Sequence, residues 1–94
     1  MKNKFDISQF VNVLTEQSVM SGVADRAKKR RKQLKMSQQE LSKKAGVTYA
    51  SIRRFESTGE ISFSSLLKIA NALGYLADFN LLFAKETITS LKEY

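Results

Sequence analysis

One device recurs three times along this chain: an apolar residue, then a hydroxyl residue, then a short run with apolar residues on one face, then a lone glycine. Met36-Ser37 opens a run closed by Gly46, Val47-Thr48 one closed by Gly59, and Ile61-Ser62 one closed by Gly74. A serine or threonine at the N-cap accepts a bond from a free N–H of the first turn, and the apolar residue before it staples to one inside the helix. Glycine suits the left-handed position that ends a helix, having no Cβ to clash. The chain therefore specifies three short helices joined by tight links, with staple pairs Met36/Leu41, Val47/Ile52 and Ile61/Leu66. In the first, Glu40 stands three residues after Ser37 and completes a capping box. No proline interrupts the pattern. No segment longer than four residues alternates in the manner of a strand, so the fold class is all-α.

Helical spacing extends the pattern both ways. Val23, Ala27 and Leu34, with cations between them, predict an amphipathic helix from Val23 to Lys35. Asp6-Ile7-Ser8-Gln9 forms another capping box, followed by Phe10, Val11 and Leu14, which predicts an extra N-terminal amphipathic helix over about Ile7 to Gln17. Leu66, Leu67, Ile69, Ala70 and Leu73 form the inward face of the helix that Gly74 ends, and Leu76, Phe79, Leu82 and Phe83 predict a fifth core helix. The expected division is an N-terminal helix and linker over 1–21, one domain over 22–83, and a tail over 84–94 that is a short helix or a frayed end. At 94 residues the chain has room for one modest core.

Charge is uneven along the chain. From Arg26 to Arg54 there are 11 basic residues and one acid, Glu40, whereas the rest has 5 basic and 8 acidic residues. Such a block suits a polyanion, because each phosphate neutralised releases condensed counterions. Apolar residues in or beside it, such as Ala27, Leu34, Leu41, Ile52 and Phe55, read as core, which argues against a membrane surface. The chain has no cysteine and no histidine, so thiol nucleophiles, histidine bases and the usual zinc sites are excluded. Glycine-rich phosphate loops and clustered carboxylates are missing too. An enzyme is not expected, nor is a catalytic residue, metal or cofactor. The longest apolar run, Leu81 to Ala84, is far short of the ~20 residues that cross a bilayer, and the N-terminus lacks a signal-like apolar region. The expected location is the cytoplasm.

The pair of short helices from Ser37 to Ser57, turning at Gly46, has the layout of a DNA-binding helix-turn-helix. On a helical wheel Ile52 and Phe55 mark the buried side of the second helix. Ala50, Arg53, Arg54 and Ser57 lie opposite, with Tyr49 on the flank at the end that enters the groove first. An arginine there can hydrogen-bond guanine O6 and N7 in bidentate fashion, and Ala50 permits close approach or touches a thymine methyl. Tyr49, Ala50, Arg53 and Arg54 are therefore the candidate base-reading residues. The bland reading of the arginine pair is exposed charge or phosphate contact alone.

The segment resembles the phage Cro and cI repressor type of helix-turn-helix domain, also called the XRE family. The likeness covers about Val23 to Phe83. It rests on Ser37-Gln38-Gln39-Glu40-Leu41, Ala45-Gly46-Val47 at the turn, Ile52 and Phe55-Glu56, and Leu67-x-Ile69-Ala70-x-Ala72-Leu73-Gly74. The resemblance implies a five-helix lambda-repressor-like domain, to which the N-terminal amphipathic helix is an addition. It also implies that Gln38 binds a phosphate, which fits the positive end of the helix dipole beside it. Ser37, Lys43, Lys44, Thr48 and Ser57 are further phosphate candidates, although Ser37 and Thr48 serve equally as mere caps. Arg31 and Glu56 are implied to form a partly buried, structural ion pair.

Three features depart from the usual pattern. Ser42 stands where alanine is common, and its hydroxyl is expected to bond back to a helical carbonyl. The link Ser57-Thr58-Gly59-Glu60 replaces a commoner Asn-Gly, and the N-terminal helix is extra. The stripe Phe5, Ile7, Phe10, Val11, Leu14 packs either on the chain's own core or on a second subunit. A homodimer reading two half-sites of double-stranded DNA is the favoured expectation. The resulting reading is a sequence-specific transcriptional regulator, expected to repress from a palindromic operator. The alternative is an antitoxin, similar to HipB-type proteins, that holds a toxin protein and represses its own operon.

Overall fold

The computed structural model describes residues 14–86, which form five helices: α1 (Glu16–Gln33), α2 (Gln38–Ala45), α3 (Tyr49–Thr58), α4 (Phe63–Leu73) and α5 (Leu76–Phe79). Among the described residues there is no strand. The stretch from Ile7 to Val13, where the N-terminal helix was expected, lies outside them.

The three repeated devices do what their chemistry dictates. Ser37, Thr48 and Ser62 each have extended backbone and accept a bond from the N–H three residues on. Gly46, Gly59 and Gly74 end the three helices in the left-handed conformation, with φ of 74°, 83° and 87°. Ser37 and Glu40 form the reciprocal box, the Ser37 N–H donating to Glu40 Oε1 at 2.8 Å. Each cap stabilises its helix by about 1 kcal/mol.

The core is one cluster of Ala24, Leu41, Val47, Ile52, Phe55, Ile69 and Leu73, with Val23, Ala27, Met36, Ala45, Ile61, Leu66 and Ala72 packed against it. Every staple residue belongs to that set, so the links that turn the chain also close the core over it. Helix α1 packs on α3 and α4, and α2 packs on the same two helices from another side.

Four details differ from expectation. Helix α1 begins at Glu16, seven residues before Val23, because Thr15 and Ser18 form a reciprocal box in which each hydroxyl accepts the other's N–H, at 3.0 and 3.1 Å. Serine replaces the usual Glu or Gln in that box, so it carries a weak sequence signature. Leu14 and Thr15 consequently lie outside any helix, and Leu14 is 80% exposed. At the other end of α1, Leu34 is an exposed C-cap rather than core, and Lys35 takes the left-handed conformation (φ 60°) that reverses the chain. Helix α5 has only four residues and no buried one; Leu82 and Phe83, expected to belong to it, are exposed. Its anchor is Phe79, edge-on to Phe63 at 6.4 Å between ring centres.

Candidate nucleic-acid interface

The geometry of the α2–α3 unit is fixed from inside the turn. Gly46 and Val47 both donate their N–H to the Ser42 carbonyl, at 2.9 and 3.2 Å, and Val47 is buried. The Ser42 hydroxyl does not bond back into its helix as expected. It donates forward to the Val47 carbonyl at 2.5 Å, so one residue closes the turn with both its backbone and its side chain.

A buried polar network then holds α3 to the rest of the domain. Arg31 of α1 grips Glu56 of α3 with two parallel bonds, Nε to Oε2 at 2.7 Å and Nη2 to Oε1 at 2.9 Å. Its remaining nitrogen donates to the Met36 carbonyl at 2.7 Å, so the guanidinium also fixes the α1–α2 link. Gln38, the first residue of α2, donates from Nε2 to Glu56 Oε1 at 2.9 Å. Arg31 and Glu56 are only 7% and 9% exposed, which would be costly for either charge alone. Burial pushes the Glu56 carboxyl's pKa up, but the hydrogen bonds from Arg31 and Gln38, with the charges of Arg31 and Lys28, outweigh it and hold the group below the ordinary 4.5.

With Ile52, Phe55 and Glu56 turned inward, the outer face of α3 presents Tyr49, Ala50, Arg53, Arg54 and Ser57, all exposed. The two arginines are held differently. The Arg53 guanidinium lies 5.6 Å over the Tyr49 ring, and Arg54 pairs with Glu60 in the α3–α4 link. Among the phosphate candidates, Ser37 accepts its cap bond and keeps its hydroxyl proton free, whereas Thr48 gives its proton to Ser51 Oγ at 2.9 Å. Ser57 directs its hydroxyl back to the Arg53 and Arg54 carbonyls, at 3.0 and 3.2 Å. Lys43 and Lys44 are exposed at the end of α2 and make no ion pair among the described residues. Gln38 is half-buried with one amide proton committed to Glu56 and the second still to offer.

Every acidic side chain on or beside this unit is already engaged: Glu40 in its capping box, Glu56 by Arg31 and Gln38, Glu60 by Arg54. The lysines are left to dominate the local field, which favours a polyanionic ligand. A ten-residue helix with this outer face fits a DNA major groove, about 12 Å wide. The helix-turn-helix family profile matches residues 28–79, more than half of the chain. The chain belongs to the helix-turn-helix family of Cro/cI (XRE) type. A search of curated proteins finds no match. As a member of that family it carries a DNA-binding domain of transcription regulators, and α2–α3 is its helix-turn-helix.

Three residues that brace the domain around the helix-turn-helix unit carry no signal in the sequence. Gln17, at the start of α1, donates to the Thr58 carbonyl at 3.1 Å and so caps the end of α3. Met20 lies against Gly59, where a Cβ would fall 2.9 Å from its atoms. Arg30, one of several first-helix cations, donates to the Leu73 carbonyl at 3.2 Å and covers the Tyr75 ring at 5.6 Å, closing the end of α4. The first two belonged, by sequence, to the N-terminal helix and linker, and only the continuous α1 brings them here. No helix among the described residues is long and apolar enough to cross a membrane, and none of those residues form a cluster able to hold a metal ion.

Proposed function

We propose that the protein is a transcriptional repressor that works in the cytoplasm, binding a palindromic operator as a homodimer with α3, from Tyr49 to Ser57, in the major groove. The observation that carries this reading is the outer face of α3: Tyr49, Ala50, Arg53 and Arg54 are outward together on a helix braced from behind by Ile52 and Phe55. Beside it, Ser37, Gln38, Lys43 and Lys44 offer donors for the sugar-phosphate chain. Repression needs only occupancy of a promoter, and a domain of this kind supplies that without a second activity.

A homodimer is supported by apolar surface that the described residues leave uncovered. A groove of about 350 Å³ runs between α1, α4 and α5, with Val23, Leu66 and Phe79 among its lining, and Leu76, Leu81, Leu82 and Phe83 lie exposed near its α5 side. The same surface is what an antitoxin would offer a toxin, and this is the second reading. A stable stoichiometric complex with the product of an adjacent gene favours the antitoxin, and purification as a dimer alone favours the stand-alone repressor.

The test is selection by the full chain from a pool of random duplexes. It should enrich a two-fold site whose halves lie about one helical turn, ~34 Å, apart, with affinity that falls steeply as salt rises. Arg53→Ala and Arg54→Ala should each relax preference at particular base pairs, whereas Lys43→Ala weakens binding to all sequences alike. A pool that yields no enriched site refutes the proposal.

A further inference from the structure

Glu60 stands at the edge of the reading face with its carboxylate on Arg54, and both side chains stay open to solvent, 50% and 68% exposed. Its position is set by a chain of contacts rather than by a free loop. The Glu60 N–H donates to Thr58 Oγ1 at 3.0 Å, and that hydroxyl donates to the Arg54 carbonyl at 2.7 Å. Gln17 holds the Thr58 carbonyl from α1, and Gly59 is wedged against Met20. The pair borders an open polar cleft between α3 and the start of α4, lined by Ser51, Ser62 and Ser65. Among the described residues the Arg54 side chain has no other partner.

We infer that Glu60 is a positioning residue for sequence reading: it takes one N–H of Arg54, fixes the direction of the guanidinium, and leaves an edge of that planar group free for a guanine. Arginine carries five N–H donors in a rigid fork, so one bond to a carboxylate still leaves the two parallel donors that O6 and N7 require. A long side chain ordered before the ligand arrives loses less freedom on binding. Arg53, ordered instead by the ring of Tyr49, is independent of Glu60. The inference rests on the major-groove reading proposed above.

Glu60→Ala makes two opposed changes, which separates this role from that of a simple clamp. Removing a carboxylate near the phosphates raises affinity for every sequence. Releasing Arg54 from its fixed direction lowers preference for one base pair in each half-site, by about 2- to 10-fold. A clamp that only sequesters Arg54 predicts the first effect without the second. The experiment measures the full chain and its Glu60→Ala variant on the selected duplex, on each single-base variant of it, and on unrelated duplex, in the wild-type and Arg54→Ala backgrounds. The expected result is selective loss at one base pair that disappears when Arg54 is alanine, while Arg53→Ala flattens a different base pair whether or not Glu60 is changed. Equal base preferences with and without Glu60, or the same loss in the Arg54→Ala background, overturn the inference. If the wild-type chain enriches a site and Arg54→Ala keeps every preference, the inference alone falls. If the wild-type chain enriches nothing, the major-groove reading falls and takes it down too.

Discussion

Gly46 and Gly59 end consecutive helices in the same backbone conformation, yet the structure assigns them unequal tolerance of a methyl group. Both have positive φ, 74° and 83°, so alanine at either costs about 1 kcal/mol in backbone strain. Around Gly46 no atom lies within 4 Å of an added Cβ, and strain is the whole cost there. At Gly59 the Cβ would stand 2.9 Å from the backbone carbon, the carbonyl oxygen and the Cβ of Met20. Two of those atoms are helix backbone and cannot swing aside, so α1 itself must shift, adding overpacking of about 1–3 kcal/mol. Gly46→Ala should therefore lose about 1 kcal/mol and Gly59→Ala about 2–4 kcal/mol. A domain of about 70 ordered residues has roughly 4–10 kcal/mol in all, so the second variant approaches global unfolding. Urea denaturation of the full chain followed by circular dichroism resolves the difference, and Met20→Ala should not rescue Gly59→Ala, because the backbone contacts persist. Equal losses at the two glycines, or full rescue by Met20→Ala, would refute the close approach of α1 to the α3–α4 link.

Arg31→Ala strands Glu56 in a buried site and should cost about 3–5 kcal/mol in denaturant, whereas replacing the pair together by Met and Leu should cost far less. Because the folded Glu56 carboxyl titrates below its ordinary 4.5, its contribution is complete above that value and is lost as pH falls through the lower folded value. Stability should thus be level from pH 7 to about 5 and decline below it, and Glu56→Gln, weaker at neutral pH, should lose less on acidification. Lys35 holds a left-handed conformation (φ 60°) at which glycine is unstrained. Lys35→Gly should stabilise the domain by about 0.5–1 kcal/mol, read as a melting point several degrees higher.

What the sequence made legible is what local chemistry determines. Ser37, Thr48 and Ser62 cap, Gly46, Gly59 and Gly74 terminate, and Ile52 and Phe55 turn inward, because each acts through neighbours within about one helical turn. The misses share one cause: the deciding partner is remote or chemically understated. The start of α1 hangs on a Thr15–Ser18 box without the usual acid, Glu60 reaches Arg54 across a glycine where no helical period applies, and Gln17 meets Thr58 from 41 residues away. Leu82 and Phe83 kept helical spacing, but among the described residues both stay exposed, Leu82 only at the groove's edge, and spacing without a surface to bury against does not make a helix.

The most consequential of these misses is the length of α1, because it changes what holds the recognition helix. A helix starting at Val23 would touch α3 through core side chains and the Arg31–Glu56 pair alone. Starting at Glu16, it also carries Gln17 and Met20 to the C-terminal end of α3, where they cap Thr58 and pin Gly59. The C-terminal turn of α3 is thereby held from two places along a single continuous helix, by Arg31 at Glu56 and by Gln17 at Thr58. Both anchors act on the turn next to Arg53 and Arg54, so they fix the position and rotation of that end of α3 more tightly than the ion pair alone. Side chains that read base edges tolerate little misplacement. Weakening the Gln17 and Met20 contacts should therefore blur base discrimination before it abolishes folding, and Gln17→Ala should reduce the ratio of selected-site to unrelated-duplex affinity while the denaturation midpoint moves little. A variant that lowers both affinities equally would mean that the second grip serves stability alone.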